Sequence, residues 1–218
     1  MNPSQHKGSD KSIRDPLSTQ RIAQIKQGEP PEPQLPQNAY IMARLDGRGF
    51  RHHLHKPTLV NTRRQIARQL MSCGFKSLFA YTHSDEVTLC IHPEETAFGR
   101  RAHKWLSILA GEASSQASLC LQAPLAFDCR LAVCSSASNV LDYLYWRQRE
   151  ARRQPTASAG EITYWKNKSI NGFNPLTGEA TQAQRRQLAC VELKPLHNPQ
   201  HQAHYLRYLE DLTGNYTL

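Results

Sequence analysis

The order of apolar runs predicts a mixed α/β (α+β) domain of the split βαβ, ferredoxin-like kind, β-α-β-β-α-β. Three observations carry this. Short strand-like runs at 40–46, 77–82, 86–92 and 125–133 are separated by two segments of helix length. Those two segments repeat apolar residues at helical spacing. The middle pair of strands is joined only by the tight turn Thr82-His83-Ser84-Asp85, so it forms a hairpin.

Each element has a local reason. Tyr40-Ile41-Met42-Ala43-Arg44-Leu45 is a continuous strand-like run that ends at Asp46-Gly47. Between Thr58 and Phe75, the residues Ile66, Ala67, Leu70, Met71 and Phe75 fall on one helix face. The second helix is expected over 96–118, with Phe98, Ala102, Trp105, Leu106, Leu109 and Ala113 turned to the core. After the fourth strand, Ser136 or Ser138 can cap a helix running to Arg153, with Val140, Leu141, Leu144 and Tyr145 on its apolar side. Trp146 and Tyr145 would pack beneath the arginine-rich end of that helix or stack on a base.

Outside this core the pattern weakens. Residues 1–38 are polar and hold six prolines, which reads as an N-terminal arm with a short helix near Pro16–Gln27 and then a linker. The catalytic domain is expected over 39–153, and a divergent region packed on it over 154–218. In that last region, 154–162 reads as a loop, and Thr181-Gln182-Ala183-Gln184 as a capping box opening a short helix. A final helix is expected over 199–213, ending at Gly214, so the C-terminal appendage is expected to be helical.

The 218 residues are 39% hydrophobic and carry a net charge of +9, which favours a polyanionic partner such as nucleic acid. No apolar run of about 18 residues provides a spanning helix, and the N-terminal residues lack a hydrophobic signal core, so no membrane association is expected. Six cysteines are scattered without a C-x-x-C pair, as expected of a reducing cytoplasm. His52, His53 and His55 cluster, but no matching pair completes a tetrahedral zinc set.

The chemistry concentrates in two acidic motifs 39 positions apart, Asp46-Gly47-Arg48-Gly49-Phe50 and Ser84-Asp85-Glu86. A carboxylate leaving one strand and another in the turn after a neighbouring strand can meet. Two such groups can hold a pair of magnesium ions for phosphoryl chemistry, the arrangement of a polymerase-type palm. Gly47 and Gly49 let backbone amides approach phosphate, and Arg48 can pair with phosphate oxygens. Glu86 alternates away from Asp85 and takes a supporting place. Either motif alone is also consistent with an ordinary solvated turn.

Four segments in register resemble the histidine-tRNA guanylyltransferase family, including its bacterial and archaeal branch. They are Tyr40 to Phe50, Ala80 to Glu86, Phe127-Asp128-Cys129-Arg130 and Asp142 to Gln148. The resemblance covers residues 13–154. It implies a palm that adds nucleotides in the 3′ to 5′ direction to the 5′ end of tRNA or tRNA-like RNA, with GTP and ATP as substrates. It implies two Mg2+ ions held by Asp46, Asp85 and the Gly47 carbonyl, and a nucleotide site formed by Asp46 to Arg51 with Lys56, Ser84, Asp85 and Arg130. It also implies a homo-oligomer, a tetramer. Arg147, Arg149, Arg152 and Arg153 exceed what a helix end needs and are expected to face RNA.

The chain departs from the family pattern in places. His83 stands where the family has Gln, and Glu150-Ala151-Arg152-Arg153-Gln154 keeps only Ala and Arg153 of D-A-x-R-N. The H-I-N-N and K-N-E-L stretches are lost. These losses favour a repair role over obligate guanylylation. They leave open a catalytically impaired RNA-binding palm, and a palm enzyme acting on free nucleotides.

Overall fold

The computed structural model describes residues 16–29, 31–50, 58–152 and 160–214. The chain divides into two units, Met1–Glu32 and Pro33–Leu218. In the first, α1 spans Pro16–Gln27. In the second, the expected order appears as β1 (Tyr40–Gly47), α2 (Thr58–Ser72), β2 (Ser77–His83), β3 (Glu86–Ile91), α3 (Ala102–Leu121) and β4 (Phe127–Cys134). These are followed by α4 (Ala137–Arg152), β5 (Glu161–Phe173), β6 (Ala180–Glu192) and α5 (Pro199–Gly214). The sheet runs β4-β1-β3-β2-β5-β6, with every neighbouring pair antiparallel.

β1, β2 and β3 are apolar on both faces because both of their faces are covered. One face of β1 and β3 presents Ile41, Ala43, Leu45, Val87, Leu89 and Ile91, which pack with Ile66 and Leu70 of α2 and with Trp105, Leu109 and Ala113 of α3. The opposite face presents Tyr40, Met42, Phe79, Tyr81 and Cys90 to Val140, Leu141 and Leu144 of α4 and Leu209 of α5. Side chains alternate along a strand, so Arg44 and Asp46 share the α4 face with Met42. Trp105 is fully buried, as its helical position predicts.

Two expectations are corrected. The segment at Thr181-Gln182-Ala183-Gln184 is strand, not helix. It lies in β6 and pairs residue by residue with β5, from Phe173↔Ala180 to Glu161↔Glu192. The turn Asn174–Gly178 closes this hairpin through the Asn174 N–H to the Glu179 carbonyl and the Gly178 N–H to the Asn174 carbonyl. β5 extends the sheet at β2, from Phe79↔Tyr164 to Thr82↔Glu161. The appendage is therefore a hairpin plus a helix.

The second correction concerns 96–118. Phe98, Gly99 and Arg100 all have positive φ, so a 3-10 turn over Ala97–Arg100 precedes α3. Phe98 is half exposed instead of buried in the core, with its ring 6.0 Å from Phe75. Polar anchors hold the turn. The Glu95 carboxylate accepts the amides of Lys76, Thr96 and Ala97. The buried Arg100 guanidinium donates to the carbonyls of Pro93, Glu95 and Ala39.

Across the sheet, Arg64 of α2 grips Glu161 of β5 with two hydrogen bonds of 2.9 and 2.6 Å. The hydrogen bond from Arg64, and then its charge, hold the Glu161 carboxyl below its ordinary 4.5 despite burial. A carboxylate depressed on folding stabilises above its unfolded value, and the benefit is lost as pH falls through the folded value. Glu161→Gln should thus cost about 1 kcal/mol at pH 7 in urea unfolding, a modest figure because Arg64 is partly solvated. That difference should fade as the pH is taken below 4.5. Phe50→Ala should cost about 3–5 kcal/mol in the same assay, because its ring is fully buried and set edge-on to Phe127 at 5.5 Å.

Candidate active site

Asp46 is the last side chain of β1 before the chain turns. Its register places it directly across from Glu86 on β3 and from Asp128 on β4. The following loop is fixed at three points. A Cβ on Gly47 would lie 2.8 Å from Phe50 Cβ and 2.9 Å from Phe127 Cζ, so only glycine fits. The Arg48 N–H donates to the Ala126 carbonyl at 2.8 Å. Gly49 has φ +72°, the left-handed region that suits glycine. Phe50 then anchors the loop in the core, leaving Arg48 and Gly49 exposed.

Asp85 comes from the β2–β3 turn. Ser84 has φ +51°, and its carbonyl accepts a 2.8 Å hydrogen bond from Arg63 Nη1 of α2. This contact pins the turn beside the end of β1. Asp46, Gly47, Arg48, Gly49 and Asp85 line one cavity of about 550 Å3, together with Ala126, Phe127 and Asp128. Burial first, and then the charges of Asp85, Glu86 and Asp128, raise the Asp46 carboxyl above its ordinary range. Repelling carboxylates of this kind are relieved by a cation between them. Among the described residues no group of three or more His, Cys, Asp or Glu side chains forms a metal cage. Two aspartates beside a backbone turn are hard oxygen donors, and they suit an ion that keeps part of its water shell.

A second cavity of about 250 Å3 shares Asp85 with the first and is otherwise lined by His83, Ser84, Glu86, Arg147, Glu150 and Ala151. Here Glu86 is paired with Arg147 of α4. Only 11% of the Arg147 side chain is exposed, and its guanidinium lies 4.8 Å from the Trp146 ring. The structure thus turns Arg147 inward onto Glu86. His83 is buried, and burial, then the charges of Arg63 and Arg147, push it down to about 4, so it is neutral near pH 7.

The remaining expected residues are dispersed. Arg130 is exposed on β4, opposite Arg44, and is not among the side chains lining either cavity. Arg149 is exposed, 5.9 Å from the Tyr145 ring. Arg152 is the last residue of α4. Arg51, Lys56 and Arg153, and the histidines at 52, 53 and 55, lie outside the described residues. Sequence reasoning missed Asp128 as a wall of the first cavity. The signal was its place next to Phe127, at the entry to the strand that pairs with β1.

The fold and cavity define a ferredoxin-like palm with an acidic cavity at the end of its central strand. The sequence model of the tRNAHis guanylyltransferase family matches residues 22–135, more than half of the chain. The chain belongs to that family. The tRNA(His) guanylyltransferase of Neurospora crassa is 30% identical over 151 residues, covering 61% of this chain and 51% of that protein. A probable tRNA(His) guanylyltransferase of Drosophila melanogaster is 31% identical over 150 residues, covering 62% and 52%. The chain spans about half the length of these curated relatives. A bacterial tRNA(His) guanylyltransferase (Thg1)-like protein in complex with ATP superposes with TM-score 0.67 at 16% identity, over 88% of this chain and 98% of that one. The corresponding GTP complex gives 0.62 at 15% identity, over 88% and 99%. Those two likenesses concern the fold. Within the described residues no helix is long and apolar enough to cross a membrane.

The Glu86–Arg147 pair ties β3 to α4 with little exposure on either side. Arg147→Met should destabilise by about 3 kcal/mol, because it leaves Glu86 charged without its partner. Adding Glu86→Leu should recover most of that loss. Urea unfolding of both single variants and the double variant measures the coupling.

Proposed function

We propose that this chain is a magnesium-dependent nucleotidyltransferase that adds nucleotides, GTP favoured, in the 3′ to 5′ direction to the 5′ end of tRNA or tRNA-like RNA. The observation that carries the proposal is the pairing of Asp46 with Asp85 on one cavity, in a chain of this family. In the proposed reaction the 3′-hydroxyl of the incoming nucleotide attacks the RNA 5′ phosphate. A phosphodiester forms, and the group that activates that phosphate leaves. Activation by ATP belongs to the same proposal.

The chain's own residues divide this work. Asp46, Asp85 and the Gly47 carbonyl would hold two magnesium ions, which supply positive charge for ionising the attacking hydroxyl and for the departing group. Arg48 and the backbone of Gly49 stand exposed on the same cavity, suited to triphosphate oxygens. Phe50 fixes that loop from the core. Ser84 is held by Arg63 and sets where Asp85 points. Glu86 acts at one remove, by binding α4 through Arg147. Arg51, Lys56 and Arg130 remain proposed nucleotide contacts on the family pattern.

RNA would meet a basic surface away from the acidic cavity. Arg149 is exposed on α4, and the β5–β6 hairpin carries Lys166, Lys168, Arg185 and Arg186 among exposed polar residues. Arg186 also lies 5.2 Å from the Trp165 ring. Arginines and lysines so spread read a phosphate backbone, not a base sequence. Arg152 and Arg153 remain proposed RNA contacts on their sequence alone. Assembly as a homo-oligomer, a tetramer, completes the proposal.

The test is incorporation of labelled GTP at the 5′ end of a tRNA lacking its first nucleotide, with 5′-monophosphate and 5′-triphosphate ends run side by side. Wild type should extend the RNA with magnesium present. Asp46→Asn and Asp85→Asn should each lower the rate by about a hundredfold or more, the scale of losing one strong transition-state contact. No incorporation by wild type across several tRNAs would refute the proposal.

A further inference from the structure

The two registers of β1 line up three carboxylates across neighbouring strands. Asp128 of β4, Asp46 of β1 and Glu86 of β3 are direct cross-strand partners. Such partners share one face, with their Cβ atoms about 4.5–5.5 Å apart. The two flanking carboxylates have different surroundings. Glu86 is paired with the largely buried Arg147, so its charge is compensated inside the protein. Asp128 has as its only ion pair among the described residues a 3.9 Å contact with Arg130, where both side chains are mostly exposed. It is Asp128, not Glu86, that lines the 550 Å3 cavity with Asp46 and Asp85.

We propose that Asp128 is a third acidic group of the cation site, acting on the bound ion through its charge and through the ion's water shell. The inference rests on the reading of Asp46 and Asp85 as cation ligands. Two divalent ions carry four positive charges against two from these aspartates, so a further carboxylate on the wall lowers the remaining excess. A direct bond is not required. Magnesium-like ions retain several waters, and a carboxylate on the adjacent strand accepts hydrogen bonds from them. If Asp128 served only to pair with Arg130 on the edge strand, it would affect the metal-free fold and leave ion binding alone.

Manganese binding to the full chain without nucleotide, followed by the electron paramagnetic resonance of free Mn2+, separates these roles. Wild type, Asp128→Asn, Asp46→Asn and Asp142→Asn are compared, each with its metal-free melting temperature. Asp142 is an exposed carboxylate on α4 that lines neither cavity. Asp128→Asn should weaken Mn2+ binding about tenfold, the scale of one solvated carboxylate acting on a doubly charged ion. Its metal-free melting temperature should match wild type. Asp142→Asn should bind as wild type does, and Asp46→Asn should lose a site. Wild-type Mn2+ affinity in Asp128→Asn, alongside loss in Asp46→Asn, overturns this inference and keeps the underlying reading. Equal binding by wild type and Asp46→Asn overturns both.

Discussion

The antiparallel register that sets β1 between β3 and β4 is the constraint on which the site depends. It fixes Asp46 opposite Glu86 and Asp128, with Asp85 entering from the turn beside them. Burial first, and then repulsion from the three neighbouring carboxylates, hold Asp46 above its ordinary pKa range. The fold holds the arrangement with cores on both sides of the sheet. Leu45 and Phe50 bracket the acidic residue with buried apolar side chains, and Gly47 lets the chain turn against Phe127. A slip of one residue in β1 would move Asp46 to the α2–α3 face and dismantle the cavity.

Around that centre the charges are segregated. Negative charge collects at the strand ends near the β2–β3 turn. Positive charge is distributed on α4 and on the β5–β6 hairpin. Arg63 and Arg147 are the exceptions. Each is drawn inward, one to the Ser84 carbonyl and the other to Glu86. They brace the turn that carries Asp85 from opposite faces of the sheet, Arg63 from α2 and Arg147 from α4. Burial, and then these two charges, hold the His83 imidazole down to about 4, so near pH 7 it adds no further positive charge beside the acidic residues.

The parts of the molecule legible in the sequence are those whose burial imposes a pattern. The β-α-β-β-α-β order could be read because β1, β2 and β3 are buried on both faces and the flanking helices repeat at 3.6 residues. The hairpin could not be read that way. Residues of β6 from Ala180 to Gln187 are exposed, so no alternation of apolar and polar residues marks them. The sequence Thr-Gln-Ala-Gln, free of a face to bury, satisfies a helix-capping pattern equally well. Pairing with β5 decided the matter through hydrogen bonds that local sequence does not encode. The left-handed run at Phe98–Arg100 was hidden for a related reason: one of its anchors is Arg100 reaching back to Ala39, 61 positions away. In the site, Asp46 and Asp85 stood out because each ends or follows an apolar strand. Asp128 did not, because its importance comes from strand register.

The central claim is that Asp46 and Asp85 jointly grip a divalent cation pair. Anomalous diffraction from crystals soaked in Mn2+ with a non-hydrolysable GTP analogue tests it most directly. Two peaks about 4 Å apart between the two carboxylates are predicted. Well-ordered carboxylates and nucleotide with no anomalous density between them would contradict the account.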